Sequence, residues 1–96
     1  MENLIDMTIT DIIEILTISS NRGRRETMNN RKCYGLSFCI DGQITYTHNG
    51  KTYISNKDCA VILPQGQTYS LHGDKSGVFT LINFECDTFL CDTISI

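Results

Sequence analysis

Ninety-six residues with eight Lys plus Arg against eleven Asp plus Glu give a net charge of −3. That leaves room for one domain and offers little overall attraction to nucleic-acid phosphates. The five cysteines are an odd number without a CxxC pair, and no apolar run reaches the roughly 20 residues that span a bilayer. The expectation is a single domain in the cytoplasm, its thiols reduced and serving as small core hydrophobes.

Residues 4 to 18, LIDMTITDIIEILTI, mix a partial helical spacing of Leu4, Ile5, Ile9, Ile12, Ile13 and Leu16 with an Ile and Thr content that suits strands. A long strand over 8 to 18 is expected. Residues 19 to 32, SSNRGRRETMNNRK, hold Arg22, Arg24, Arg25, Arg31 and Lys32, five of the eight basic residues. This stretch reads as a solvated connector, with an anion-binding loop as the alternative.

The next elements are plainer. CYGLSFCI, QITYTH and KTYIS read as strands separated by turns at Asp41-Gly42 and Asn49-Gly50. Asn-Gly tolerates the positive φ angles of a type I′ turn, so a two-residue hairpin would pair His48 with Lys51 and Tyr46 with Tyr53. The buried-looking run CAVIL, the turn PQG, the strand QTYSLH, the turn GDKSG, the strand VFTLINFEC and the apolar piece FLCDTISI follow. Short strands at this spacing, each pair divided by a turn signal, predict an all-β sandwich or barrel.

The glycine of the Asp41-Gly42 turn, the NG-K-x-Y hairpin, Asp58 before an apolar strand, Pro64 and Gly66 in a P-x-G turn, and Asn83-Phe84 at the end of an aromatic strand come in a telling order. Over roughly residues 31 to 86 it resembles the cupin barrel, and within cupins the N-terminal effector-sensing domain of AraC-family transcriptional regulators. The resemblance implies an all-β, cupin-like double-stranded β-helix, or jelly-roll barrel, as a single domain. Residues 1 to 32 would supply an N-terminal strand and Arg-rich loop, and residues 33 to 96 the barrel strands. The proline fixes φ at residue 64 and the glycine is free to take positive φ at residue 66, a sharp corner between sheets.

Cupin enzymes hold a divalent metal with an H-x-H pair, a glutamate and a later histidine. Carried onto this chain, those positions fall near Met28 to Arg31, at Gly35 and at Tyr69. They lack the imidazole and carboxylate set such metals require. The resemblance therefore implies no metal, no cofactor and no enzyme of the usual cupin kind. No nucleophile elbow, Cys/His signature or phosphate-binding glycine loop appears either.

Tyr69 reads either as an amphipathic wall of a ligand pocket or as a core tyrosine bonded to the backbone. Gly35, Ser37 and Cys39 alternate onto one face of their strand, where three small residues would leave space; the alternative has Leu36, Phe38 and Ile40 facing inward. Tyr46, expected chiefly to pack across the hairpin, and Leu71 complete the candidate pocket. His48 and His72 read as surface histidines.

The implied function is regulatory: a small polar effector, in that family often a sugar, would bind in a metal-free barrel and be coupled to a C-terminal helix-turn-helix domain absent from this chain. The chain would then be a fragment of a longer regulator, dimerising weakly or through exposed strands, with no membrane association. The alternative is a stand-alone small cupin, either a binding module or an enzyme with a non-standard site.

Overall fold

The structure, a computed structural model, describes residues 7–88 and 94–95. Its strands are β1 (Met7–Ser20), β2 (Arg25–Met28), β3 (Tyr34–Cys39), β4 (Gln43–His48), β5 (Lys51–Ser55), β6 (Val61–Leu63), β7 (Tyr69–Lys75), β8 (Gly77–Thr88) and β9 (Ile94–Ser95). They form a five-stranded sheet in the order β1-β8-β3-β6-β9 and a four-stranded sheet in the order β2-β7-β4-β5. Every pairing is antiparallel. The described residues contain no helix.

Alternation explains the layering. β3 and β4 both run intermediate-buried along their length, so Gly35, Ser37 and Cys39 face Ile44, Tyr46 and His48 across the interior. Cys39, Ile44, Tyr46, Val61, Leu63, Tyr69 and Phe79 form the core, with Ile18, Tyr53, Leu71 and Leu81 packed against it. On the rival face Leu36 and Phe38 are half-buried and Ile40 is exposed. Neighbouring side chains reach into the space over the three small residues. The Tyr46 ring meets Ser37, with hydroxyl and Oγ 2.7 Å apart, and the space above Gly35 is taken by the Arg31 guanidinium.

The Asn49-Gly50 hairpin forms with the expected partners, His48 with Lys51 and Tyr46 with Tyr53, and Gly66 takes φ +82° at the corner after the buried Pro64. Four expectations are corrected. Residues 25–28 are not loop but the edge strand β2, bonded to β7. All four of its residues are exposed, so no apolar alternation marked it. The expected GDKSG turn is mostly strand, since β7 runs to Lys75 and β8 begins at Gly77. Gly77 is needed there because an added Cβ would lie 2.1 Å from the Asp41 carbonyl oxygen.

His48 is buried rather than on the surface, being the last inward residue of β4. Of the described cysteines only Cys39 is fully in the core. Cys33 and Cys86 are half-buried and Cys59 is exposed, in a loop where Asn56 Oδ1 accepts from the Asp58 and Cys59 backbone N–H groups. Cys91 and the start of the closing apolar segment fall outside the described residues.

Candidate functional site

All six candidate pocket residues contribute to the interior side of the two sheets. Gly35, Ser37, Cys39, Tyr46 and Tyr69 are buried and Leu71 is half-buried. Tyr46 and Tyr69 meet edge to face, with ring centroids 5.5 Å apart and planes at 74°, an arrangement that suits the ring quadrupoles. Ser37 Oγ lies 3.3 Å from Ser55 Oγ, which in turn donates to the Ser37 carbonyl at 3.1 Å. The Cys39 thiol donates to the Ser55 carbonyl at 3.2 Å. A polar seam therefore runs through an otherwise apolar interior.

At one end of that seam sits a residue that the sequence placed in a solvated loop. Arg31 is only 7% exposed. Its backbone is fixed to the P-x-G corner: the Arg31 N–H donates to the Gln67 carbonyl at 3.0 Å, and the Gly66 N–H donates to the Arg31 carbonyl at 2.7 Å. The side chain runs over Gly35, where a Cβ would lie 2.3 Å from Nη2. Nη1 donates to the Tyr69 hydroxyl at 3.2 Å and Nη2 donates to Asn83 Oδ1, while buried Nε has no hydrogen-bond partner.

Gly35 and Asn83 are direct cross-strand partners. Asn83 Nδ2 passes the chain on, donating to Glu14 Oε1 at 2.9 Å.

The electrostatics of this end are unusual. A buried guanidinium is expensive unless an anion compensates it, yet both groups it contacts directly are neutral. Burial pushes the Tyr69 hydroxyl above the ordinary tyrosine range, against the opposing pull of Arg31, so it is neutral at physiological pH. The nearest link to a carboxylate is indirect, through the Asn83 amide to Glu14. Burial likewise raises the Tyr46 hydroxyl and the Cys39 thiol, so neither is poised as a base or nucleophile.

Among the described residues no group of three or more His, Cys, Asp or Glu could hold a metal ion. Arg31 and Asn83 are the candidate site residues that the sequence reading missed. The signal was Asn83 itself: in FTLINF it shares the inward face with Phe79 and Leu81, and an inward amide requires a polar partner. The opposite end of the sandwich carries a polar cavity of about 370 Å³ lined by residues including Asp41, Lys57, Asp58 and Lys75. It lies apart from Arg31 and brings no buried charge to bear.

The family profile described as the AraC-like ligand binding domain matches residues 17–95. No curated protein matches the chain. Among solved structures the chain is similar to apo ToxT K231A from Vibrio cholerae strain SCE256, with a TM-score of 0.66 at 12% identity. The match covers 85% of this chain and 40% of that one, so this chain spans less than half of the solved relative. At that identity the likeness is one of fold, and it agrees with the two facing sheets of a cupin-like jelly roll. With the profile covering most of its length, the chain belongs to the family of AraC-like ligand-binding domains, the regulatory sensor modules of AraC-type transcriptional regulators.

Proposed function

We propose that this chain is the effector-sensing domain of an AraC-type regulator, binding a small polar molecule inside a metal-free barrel and coupling its occupancy to a DNA-binding domain outside this chain. The observation that carries the reading is Arg31: a buried cation held by two neutral groups, with one donor unused. A ligand rich in acceptor oxygens, a sugar among them, offers Arg31 what Asn83 and Tyr69 only partly supply. The domain's role is binding rather than catalysis, in the cytoplasm, with DNA contacted only through the missing helix-turn-helix domain.

A ligand can bias such a regulator only through different affinities for two states. The Arg31–Asn83–Glu14 chain supplies a route, because Glu14 belongs to β1, whose ladder with β8 has irregularities just before it, between Ile9 and Asp11 and between Ile12 and Glu14. Occupancy at Arg31 that draws Asn83 away from Glu14 would alter how β1 sits on β8. The test is a thermal-shift and calorimetric screen of small sugars and polyols on the wild-type chain and on Arg31→Met. Saturable binding to wild type that falls by about 10-fold or more in the variant is expected, the loss of one charge-assisted hydrogen-bonding group. Binding that survives the substitution unchanged would overturn the assignment of Arg31.

A further inference from the structure

We propose that the free edge of β1 is a self-association surface, pairing antiparallel with β1 of a second copy about a two-fold axis near Thr17. Among the described residues β1 stands at the edge of its sheet, bonded to β8 alone. A long unpaired edge is a template for another strand, and proteins normally blunt it with Lys, Pro or short length. β1 is 14 residues long and contains neither Lys nor Pro.

It is also where the described apolar exposure concentrates: Ile9 (54%), Ile12 (55%), Ile13 (49%), Ile15 (61%) and Leu16 (36%) are all in water. Among the described residues no other strand leaves such a row uncovered, and a row of this kind marks an interaction site. Irregularities interrupt the ladder before Glu14, whereas Glu14 to Ser20 pair with β8 without interruption. Thr17 is the middle of that regular stretch.

The charge pattern selects the occupant. One end of the β1–β8 ribbon is acidic: Asp11 lies directly opposite Glu85, Glu14 is two pairs along, and Asp87 pairs with Thr8. Like charges directly opposite one another destabilise a ladder. The other end of β1 runs into the turn carrying Arg22, Arg24 and Arg25, of which Arg22 and Arg25 are exposed. A two-fold axis at Thr17 lays the acidic end of each copy alongside the basic turn of the other, with Asp11 beside the partner's Arg22 to Arg24 turn. A second copy is therefore complementary in hydrogen bonding, apolar surface and charge at once.

The test is sedimentation equilibrium of the 96-residue chain at concentrations reaching about 0.1 mM, a range in which weak dimers are resolved. Expected is a monomer–dimer equilibrium that Ile15→Lys weakens by about 10-fold or more, through lost apolar contact and a charge set into the edge. Asp11→Arg and Arg22→Asp should each weaken it, and the double swap should restore it. Thermal unfolding of each variant checks that it remains folded.

In a Cys59→Ser background, which removes the exposed thiol, Thr17→Cys should form a covalent dimer on mild oxidation where the parent does not, since facing residues of an antiparallel pair lie within disulfide reach. A chain that stays monomeric throughout overturns the proposal. So does a dimer indifferent to Ile15→Lys and to both charge reversals, which would place the interface elsewhere.

Discussion

Two arginines bracket β2, and the protein treats them differently. Arg24, just before the strand, is a quarter exposed along its side chain and ion-paired with Glu26, and its guanidinium stands 5.7 Å from the centroid of Phe79. Arg31, just after the strand, is more deeply buried and has only a tyrosine hydroxyl and an asparagine amide as direct partners. The first charge is answered inside the chain and beside water. The second is held in the interior without a counter-charge, an arrangement that burial alone would disfavour. A guanidinium kept under those conditions suits an interior that receives a polar guest; Arg24 also leaves a buried Nη1 without a hydrogen-bond partner, but its charge is already paired.

The largest effect that separates the two ends should come from Gly35. An added methyl there meets the Arg31 guanidinium at 2.3 Å, and overpacking of this kind costs about 1–3 kcal/mol. Because the obstruction is a side chain rather than backbone, Gly35→Ala combined with Arg31→Ala should be less destabilised than the sum of the two single variants, by about 1–2 kcal/mol. Urea unfolding of the four proteins measures that coupling. Strict additivity would mean that Arg31 does not lie over Gly35, and the contrast with Arg24 would lose its structural basis.

Arg24→Met should cost less, about 1 kcal/mol, as the sum of a partly exposed ion pair and a cation–π contact. Most of the ion-pair share should vanish in high salt, which screens exposed charges. Arg24→Met should also leave ligand binding intact, whereas Arg31→Met should not. If calorimetry found the two substitutions equally damaging to binding, the distinction between a neutralised and an uncompensated arginine would be the wrong one.

The unequal legibility of these two ends in the sequence has a physical cause. The hairpin at Asn49-Gly50 and the corner at Pro64 and Gly66 were readable because their signals are local: φ preferences of single residues decide them. The inward set Gly35, Ser37 and Cys39 was readable only as one of two faces, since Leu36 and Phe38 on the other face are also apolar. β2 was illegible because four exposed polar or flexible residues, Arg-Glu-Thr-Met, carry no amphipathic period. Arg31 was lost with it. A charged residue in an Arg-rich run looks solvated until tertiary structure brings Tyr69 and Asn83, 38 and 52 residues away, to its two terminal nitrogens.

Acid should sharpen the comparison by the smallest margin, because carboxylates support the Arg24 end of β2 but touch Arg31 only indirectly. Next to Gly73, whose N–H donates to the Arg24 carbonyl at 2.8 Å, Asp74 accepts hydrogen bonds from Thr45 and from Gln43 Nε2 at 2.9 Å, and lies 2.8 Å from His72 Nδ1. Burial opposes its charge, but the bonds from Thr45, Gln43 and His72 outweigh that, and its carboxyl titrates below the ordinary range. A depressed folded-state pKa stabilises the fold above the unfolded value, near 3.9, and the benefit disappears as pH falls through the folded value. Asp74→Asn should therefore lower the melting temperature near neutral pH, and the gap to wild type should narrow as pH falls below about 5 and close as pH passes below the depressed folded-state value. Over the same interval the coupling between Gly35 and Arg31 should hold constant, since the direct partners of Arg31, the Tyr69 hydroxyl and the Asn83 amide, are not carboxylates. A coupling that faded in step with the Asp74 effect would mean that carboxylate charge, reaching Arg31 through Glu14, holds the buried guanidinium in place.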